Sequence, residues 1–350
     1  MLKVAVVASS ETPGGAEQYL YRLYAELRDR GDVEVRLIGS LPDWHSDLGV
    51  CVRAGVTKKL TRRSSLVKQG FDAALSVRKM LRAIDDFSPD LVHVQYFKEK
   101  LTLPRALARR GIPVMWTEHG PIPDNLPAIG RKLYAWQAQK CSVVAISQGV
   151  ETSLRESGIS SVLINNPLVG GVEFSRIPKG SSDGYVLFAG RLHEYKRVDL
   201  LLAAARKLPH LNFVIAGDGP DRVRLEGLAP ANVKFLGGVN EMSAVYAGAG
   251  LVVIPSGKKA REGSPMVMLE ARSGGIDVLM ARDCHAAEEA SSLGCYLFDP
   301  EAGSLTEEIM RALASTPRKM PSEIRAARSL PAWADQHRKV MESAVGVIGL

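Results

Sequence analysis

Two α/β domains in tandem, each a Rossmann-like parallel sheet covered by helices, are what the sequence predicts, and three observations predict them. Strand-length apolar runs alternate with helix-length amphipathic segments from the first residue into the last third, the pattern of repeated βα units. The alternation collapses over residues 165–184 ("NNPLVGGVEFSRIPKGSSDG") into Asn, Pro, Gly and Ser, the composition of a linker, and then restarts. A length of 350 residues can bury two cores of similar size.

In the first half the predicted strands are Val4–Ala8, Val33–Ile38, Leu91–Val94, Pro113–Thr117, Val143–Ile146 and Val162–Ile164. Between them lie the helical stretches Ala16–Arg30, Ser64–Phe87, Leu101–Arg110 and Arg131–Lys140. After the linker come strands Val186–Ala189, Phe213–Ala216, Val233–Leu236, Leu251–Ile254 and Val278–Ala281, with helices Val198–Lys207, Met242–Ala247 and Pro265–Ser273. The tail "LPAWADQHRKVMESAV" reads as a terminal helix whose start is set by Pro331.

Apolar content of 46%, charged content of 24% and a mean hydropathy of -0.02 describe an ordinary globular protein. No run reaches the roughly 18 apolar residues of a membrane span, and "VAVVAS" is a strand without a cleavage region. The expected location is the cytoplasm, or the inner face of the membrane as a peripheral protein. Cys51, Cys141, Cys284 and Cys295 lie far apart, with no C-x-x-C pair and no histidine cluster, so they read as reduced core residues rather than metal ligands.

The net charge of +7 is concentrated in the first half, and residues 53–82 hold nine bases against one acid, Asp72. Such a strip suits an anionic surface: acidic lipid headgroups, a phosphorylated acceptor or nucleic acid. The alternative is a solvated helix face preceded by a basic loop.

In open α/β sheets ligands gather at the carboxyl ends of strands. "SSETPGGAEQ" follows the first strand, and Gly14 and Gly15 would let the backbone approach a ligand beside a helix N-terminus, or simply make a tight turn. It is not a G-x-G-x-x-G fingerprint, which disfavours a dehydrogenase. "FAGRLHEYKR" places Arg191 and Lys196 in a loop after the first strand of the second half, where two cations could hold a diphosphate or merely be exposed bases. "IAGDGPD" suggests a turn shaped for close approach by Gly217 and Gly219. His119 in "TEHGP" ends a strand and is either structural or a ligand contact.

"REGSPMVMLEAR" carries two glutamates separated by seven residues. Ser264 is the expected N-cap, Pro265 the first helical residue, and Gly274–Gly275 the stop. Glu262 then lies in a loop and Glu270 inside the helix, so they are no neighbouring acid/base dyad. A carboxylate facing a vicinal diol accepts two hydrogen bonds, so one glutamate on a ribose and one on a second polyol would suit a nucleotide sugar. The alternative leaves one of them a surface acid.

In order, "PGGAE", "GRLHEYK", "AGDGP", "FLGGV", "VIPS" and "EGSPMVMLEA" resemble the retaining glycosyltransferases of family 4, which have the GT-B fold. The resemblance implies two Rossmann-like domains facing across a central cleft. Residues 1–168 with a returning helix 331–350 would form the acceptor domain and residues 169–330 the nucleotide-sugar domain. It implies that Arg191 and Lys196 bind the donor diphosphate, that Glu270 holds the ribose, and that Glu262, Gly263, Ser264 and His119 line the sugar pocket. Gly14 and Gly15 would approach phosphate and acceptor.

The activity implied is metal-independent transfer with retention, using a UDP-, GDP- or ADP-linked sugar as co-substrate. No cofactor is expected. The acceptor would be a small molecule, a glycan or a lipid-linked hydroxyl, with nucleic acid not expected and peripheral contact with anionic membrane through 53–82 open. A nucleotide-sugar 2-epimerase or hydrolase of the same fold, and a non-catalytic nucleotide-sugar-binding protein, are the competing readings.

Three departures stand out. Gly263-Ser264-Pro265 replaces the family's usual Gly-Phe-Gly, and proline offers no amide to a phosphate. Asp277 stands where proline is usual, and "PSGKKAREG" adds Lys258, Lys259 and Arg261 before the first glutamate.

Overall fold

A computed structural model describes residues 1–10, 14–42, 44, 48, 51–52, 66–168 and 184–348. The chain divides into two compact units. One comprises Met1–Ile146, Glu151–Ile164 and Pro331–Leu350; the other comprises Ser147–Val150 and Asn165–Leu330.

The first unit runs β1 (Leu2–Ser9), α1 (Gly15–Asp29), β2 (Val33–Ser40), β3 (Cys51–Val52), α2 (Leu66–Phe87), β4 (Leu91–Val94), α3 (Phe97–Thr102), α4 (Pro104–Ala108), β5 (Val114–Glu118), α5 (Ala128–Ala138), β6 (Ser142–Ala145), α6 (Gln148–Glu156) and β7 (Val162–Leu163). Its seven strands are parallel, in the order β3-β2-β1-β4-β5-β6-β7. Val4–Ala8 of β1 and all of β4 and β5 are buried, as helices on both faces of a parallel sheet require.

The second unit runs β8 (Tyr185–Ala189), α7 (Val198–Lys207), β9 (Asn212–Ala216), α8 (Arg222–Leu228), β10 (Val233–Gly237), α9 (Ser243–Ala247), β11 (Ala249–Ile254), α10 (Met266–Ser273), β12 (Asp277–Ala281), α11 (Ala287–Ser292), β13 (Tyr296–Phe298), α12 (Ala302–Ala314) and α13 (Ser322–Ala327). Its parallel order is β10-β9-β8-β11-β12-β13. Alternate residues feed the two sides of the sheet. Val186, Phe188, Leu251, Val253, Leu279 and Ala281 join Leu201, Leu305 and Ile309 in one core. Leu187, Val252, Ile254, Val278 and Met280 join Met268, Leu269 and Ala290 in the other.

The last helix, α14 (Leu330–Ile348), belongs from Pro331 onward to the first unit. Its buried Trp333 meets the Tyr19 ring edge-on at 4.9 Å, and its buried His337 hydrogen-bonds the Tyr19 hydroxyl.

Helices α6, α8, α11, α12 and α13 go beyond the sequence reading, and the elements differ from it at three further points. The single helix expected over 101–110 is two, because Pro104 has no amide to continue α3 and instead opens α4. Strands β3 and β13 go beyond the expectation, being two and three residues long and too short for a periodicity to declare them. Most of the linker, 169–183, and residues 53–65 of the basic strip lie outside the described residues.

In each sheet the strand order reverses at one point, between β1 and β4 and between β8 and β11. The loops leaving such a pair diverge and open a crevice at the carboxyl ends of the strands. Both crevices carry residues singled out by the sequence.

Candidate active site

In the second unit, β8 delivers the chain to Gly190 and Arg191, then to a 3-10 turn at Glu194–Lys196 that ends on Arg197 in the left-handed region (φ 52). The loop after β11 repeats the device: a 3-10 turn at Lys258–Ala260 ends on Arg261, also left-handed (φ 51). Left-handed arginines are uncommon, and surroundings must hold them there. For Arg197 the holder is a two-pronged ion pair, its guanidinium donating to Asp283 Oδ1 at 3.0 Å and Oδ2 at 2.8 Å. Asp283 follows β12, so this clamp ties two loops together. Gly257 makes room for it: a Cβ there would lie 2.1 Å from the Arg197 guanidinium.

The turns set Lys196 on Glu262. The Lys196 ammonium donates to Glu262 Oε1, and the Ser256 hydroxyl donates to the same oxygen at 3.2 Å. Both side chains of the ion pair are mostly buried, so their charges are largely neutralised within the crevice rather than by water. Arg191 is exposed at its rim. Glu270, inside α10, accepts from the buried Tyr246 hydroxyl at 2.9 Å. The two glutamates therefore face different partners, as their separation between loop and helix demands.

Glycines bring the loops close. Gly217 (φ 140) and Gly219 press against the loop after β8, and a Cβ on them would lie 1.9 Å from the Gly190 carbonyl oxygen and 2.2 Å from that of Leu192. No side chain fits either position.

Ser264 corrects the sequence reading. It does not cap α10; Pro265 occupies the N-cap with extended backbone, and its carbonyl accepts from Met268 N at 3.0 Å. The Ser264 hydroxyl instead donates to buried Glu289 at 3.0 Å, and Glu289 also receives Arg328 at 2.5 Å. A tertiary carboxylate has outcompeted the local cap. Because proline sits at the N-cap, the amides of Met266 and Val267 still open the helix. The Gly263 carbonyl accepts from the Ser147 hydroxyl at 2.6 Å, so Gly263 and Ser264 can offer a ligand little beyond their backbone amides. Asp277, the replacement for proline, compensates buried Arg272 at 3.2 Å, and Arg272 also donates to the carbonyls of Leu293, Ile276 and Arg318.

In the first unit, Gly14 is the N-cap of α1 and Gly15 its first residue, exposed. The sequence reading missed Glu17 and Tyr96 there. Glu17 is buried in the first turn, accepts the Tyr96 hydroxyl, and would lie 2.9 Å from a Cβ on Gly14. The positive end of α1 thus already has a carboxylate, which a phosphate would have to share. Gln95, after β4, donates to the Ala16 carbonyl at 2.8 Å and draws the two crevice loops together.

His119 follows β5. Its ring meets Tyr19 edge-on at 4.7 Å, and its enclosed Nε2 has no hydrogen-bond partner among the described residues. Burial, with Lys100 and His337 nearby, lowers its pKa to about 3, so the imidazole is neutral at ordinary pH. The preceding Glu118 takes three donors on Oε2: Lys100 at 3.0 Å, Trp116 at 3.1 Å and Tyr134 at 2.5 Å.

The family described as Glycosyltransferase Family 4 matches residues 13–168, and that described as Glycosyl transferases group 1 matches residues 172–328. The chain belongs to these glycosyltransferases. A GDP-mannose-dependent alpha-mannosyltransferase of Mycobacterium tuberculosis is 27% identical, covering 96% of this chain and 86% of that protein. A sulfoquinovosyl transferase of Arabidopsis thaliana is 24% identical over 65% of this chain, and the match spans only 50% of that protein's length.

Among solved structures, a glycosyltransferase of Rickettsia africae has a TM-score of 0.76 at 16% identity, covering 98% of each chain. Anabaena HepE, solved with UDP, has a TM-score of 0.71 at 19% identity, covering 100% of this chain and 98% of that one. The fold of this glycosyltransferase is therefore GT-B. Among the described residues no helix is long and apolar enough to cross a membrane.

Three residues of the glycosyltransferase crevice were assigned no role from the sequence: Asp283, Tyr246 and Ser256, although the last ends the "VIPS" motif. Asp283 and Tyr246 meet partners on another loop or helix, and Ser256 meets Glu262 within one loop.

Proposed function

We propose that the chain transfers a sugar from a nucleotide-sugar donor to an acceptor hydroxyl, with retention and without a bound metal. The observation that carries the reading is the Lys196–Glu262 contact at the switch point of the second sheet, eight residues before Glu270. The ligands of two similar proteins point the same way: GDP-mannose for the mannosyltransferase and UDP-glucose for HepE.

In this reading Glu270 holds the ribose diol while Arg191, Lys196 and the opening amides of α10 meet the diphosphate. Those cations and amides would carry the charge of the departing phosphate, so no metal is required of the mechanism. Lys196 bridges that phosphate and Glu262, whose carboxylate faces the transferred sugar and its oxocarbenium-like transition state. The bond from the anomeric carbon to the phosphate oxygen breaks, the bond to the acceptor oxygen forms on the same face, and the acceptor proton leaves on the phosphate oxygen. His119, neutral with an unpartnered Nε2, would hydrogen-bond a sugar hydroxyl, and Gly14–Gly15 would approach phosphate and acceptor.

The test is a thermal-shift screen of nucleotides and nucleotide sugars followed by donor-consumption assays, with and without chelator. Glu270→Ala should weaken the bare nucleotide about tenfold or more, the loss of one bidentate carboxylate. Glu262→Ala should leave nucleotide affinity near the parent's and lower turnover. Equal effects on both, or no stabilisation by any nucleotide, would defeat the proposal.

A further inference from the structure

Helix α5 exposes its largest apolar side chains. Ile129 is 80% accessible, Trp136 45% and Leu133 41%, and beside them on α3 Phe97 is 41% accessible. Ile129, Leu133 and Trp136 stand at i, i+4 and i+7, so they form one stripe along the helix. The stripe is held rigid from behind: Phe97 stacks on buried Tyr134 at 5.2 Å, and the Arg105 guanidinium lies 3.6 Å over the Trp136 ring. Scattered exposed apolar residues need no explanation, whereas an aligned, contiguous set does.

Charge decides what the stripe fits. Between residues 96 and 140 the side chains reaching solvent include seven bases and a single acid, Asp124, because Glu99 and Glu118 are buried. One of the seven, Arg110, is paired with Asp85 at 3.4 Å. Lys132 sits on the stripe's flank and Lys98 beside Phe97. Apolar anchors with bases beside them, and a tryptophan among them, are what an interfacial amphipathic helix presents to a bilayer with acidic headgroups.

We infer that the α3–α5 face of the first unit seats on the surface of an anionic membrane. The apolar stripe enters the headgroup boundary and the bases meet the acidic lipids. The inference rests on α3 and α5 and not on the basic strip at 53–82, and it does not depend on the reaction catalysed. It places the His119 loop, which leads directly into α5, next to a bilayer, where a lipid-linked acceptor would be presented.

The experiment uses the full chain with vesicles of phosphatidylcholine alone or mixed with equal phosphatidylglycerol, without donor or acceptor. Co-sedimentation and tryptophan emission are the readouts. Binding to the mixed vesicles, weakening as salt rises, is expected, with a blue shift that Trp136→Phe largely removes. Ile129→Ser and Leu133→Ser should each weaken partition about tenfold, the transfer contribution of one aliphatic side chain, while leaving thermal stability near the parent's because both side chains are exposed. Lys98→Glu with Lys132→Glu should weaken it further at low salt. No binding, or binding indifferent to these substitutions, overturns the inference. So does a concentration-dependent dimer that Ile129→Ser and Leu133→Ser dissociate, which would make the face a contact with a second copy.

Discussion

Lowering the pH from 8 to 5 should strip the first unit of about 2 kcal/mol through His337 alone, with His93 and His119 adding to the loss. His93 and His337 are fully buried. His337 has both nitrogens committed: Nδ1 donates to the Trp333 carbonyl at 2.9 Å, so Nε2 must accept the Tyr19 hydroxyl, and a second proton would meet that hydroxyl head-on. His93 lies between the Tyr24 hydroxyl at 2.7 Å and the Thr117 hydroxyl at 2.8 Å. Burial lowers the pKa of His337 from 6.5 to about 4, and burial with neighbouring His337, His119 and Lys100 lowers that of His93 well below 6.5.

A lowered histidine pKa gives stability that is complete above the unfolded value and lost as the pH falls through it. At pH 5 an unfolded imidazole is almost wholly protonated and folded His337 is almost wholly neutral, which amounts to about 2 kcal/mol for that group. His337 alone removes about 2 kcal/mol from a typical stability of about 5–15 kcal/mol, and His93 and His119, lowered in the same direction, add to the loss. Glu99, its carboxyl raised by burial, binds a proton first in the folded unit and offsets part of the loss toward pH 5. All four tryptophans (Trp44, Trp116, Trp136 and Trp333) belong to the first unit, so tryptophan emission during urea unfolding reports on it selectively. His337→Gln should reduce the slope of stability against pH by about 1.4 kcal/mol per pH unit near pH 5, one proton's worth. A curve flat from pH 8 to 5, or an unchanged slope in His337→Gln, would refute the reasoning.

Three further outcomes follow from the second unit. Gly219→Ala sets a methyl against the Leu192 backbone and should lower stability by about 2–3 kcal/mol, seen in denaturant melts, and weaken nucleotide binding. Asp277→Asn leaves the Arg272 guanidinium buried without a counter-charge and should lower stability by about 3 kcal/mol; a melt within 1 kcal/mol or so of the parent's would show the carbonyl acceptors suffice alone. Asp283→Ala frees Arg197 and with it the turn carrying Lys196, so turnover and affinity for a nucleoside diphosphate should both fall about tenfold, whereas a purely structural clamp would move only the melting temperature.

The fold was legible because its evidence is local. Leu91–Val94 and Val198–Lys207 are strand and helix at the bounds their patterns predict. The parallel order of the sheets follows from βα alternation, which leaves no room for hairpins. The site was legible only in its residue types. That Glu262 and Glu270 serve different partners could be inferred from one cap and one helix. That Glu262 meets Lys196 could not, since the contact spans 66 residues. Ser264 shows the limit clearly. Its side chain suits an N-cap as well as any, yet Glu289, 25 residues on, takes the hydroxyl. The left-handed Arg197 and Arg261 were invisible because arginine has no preference for that conformation; Asp283, far along the chain, holds Arg197 in place.

The return of α14 to the first unit sets an order of assembly on the ribosome. Residues 165–330, nearly all of the second unit, emerge before Trp333 and His337, so that unit can close while Tyr19 still lacks its partners. Of the two units, the one begun first is the one finished last, its core incomplete until α14 has emerged.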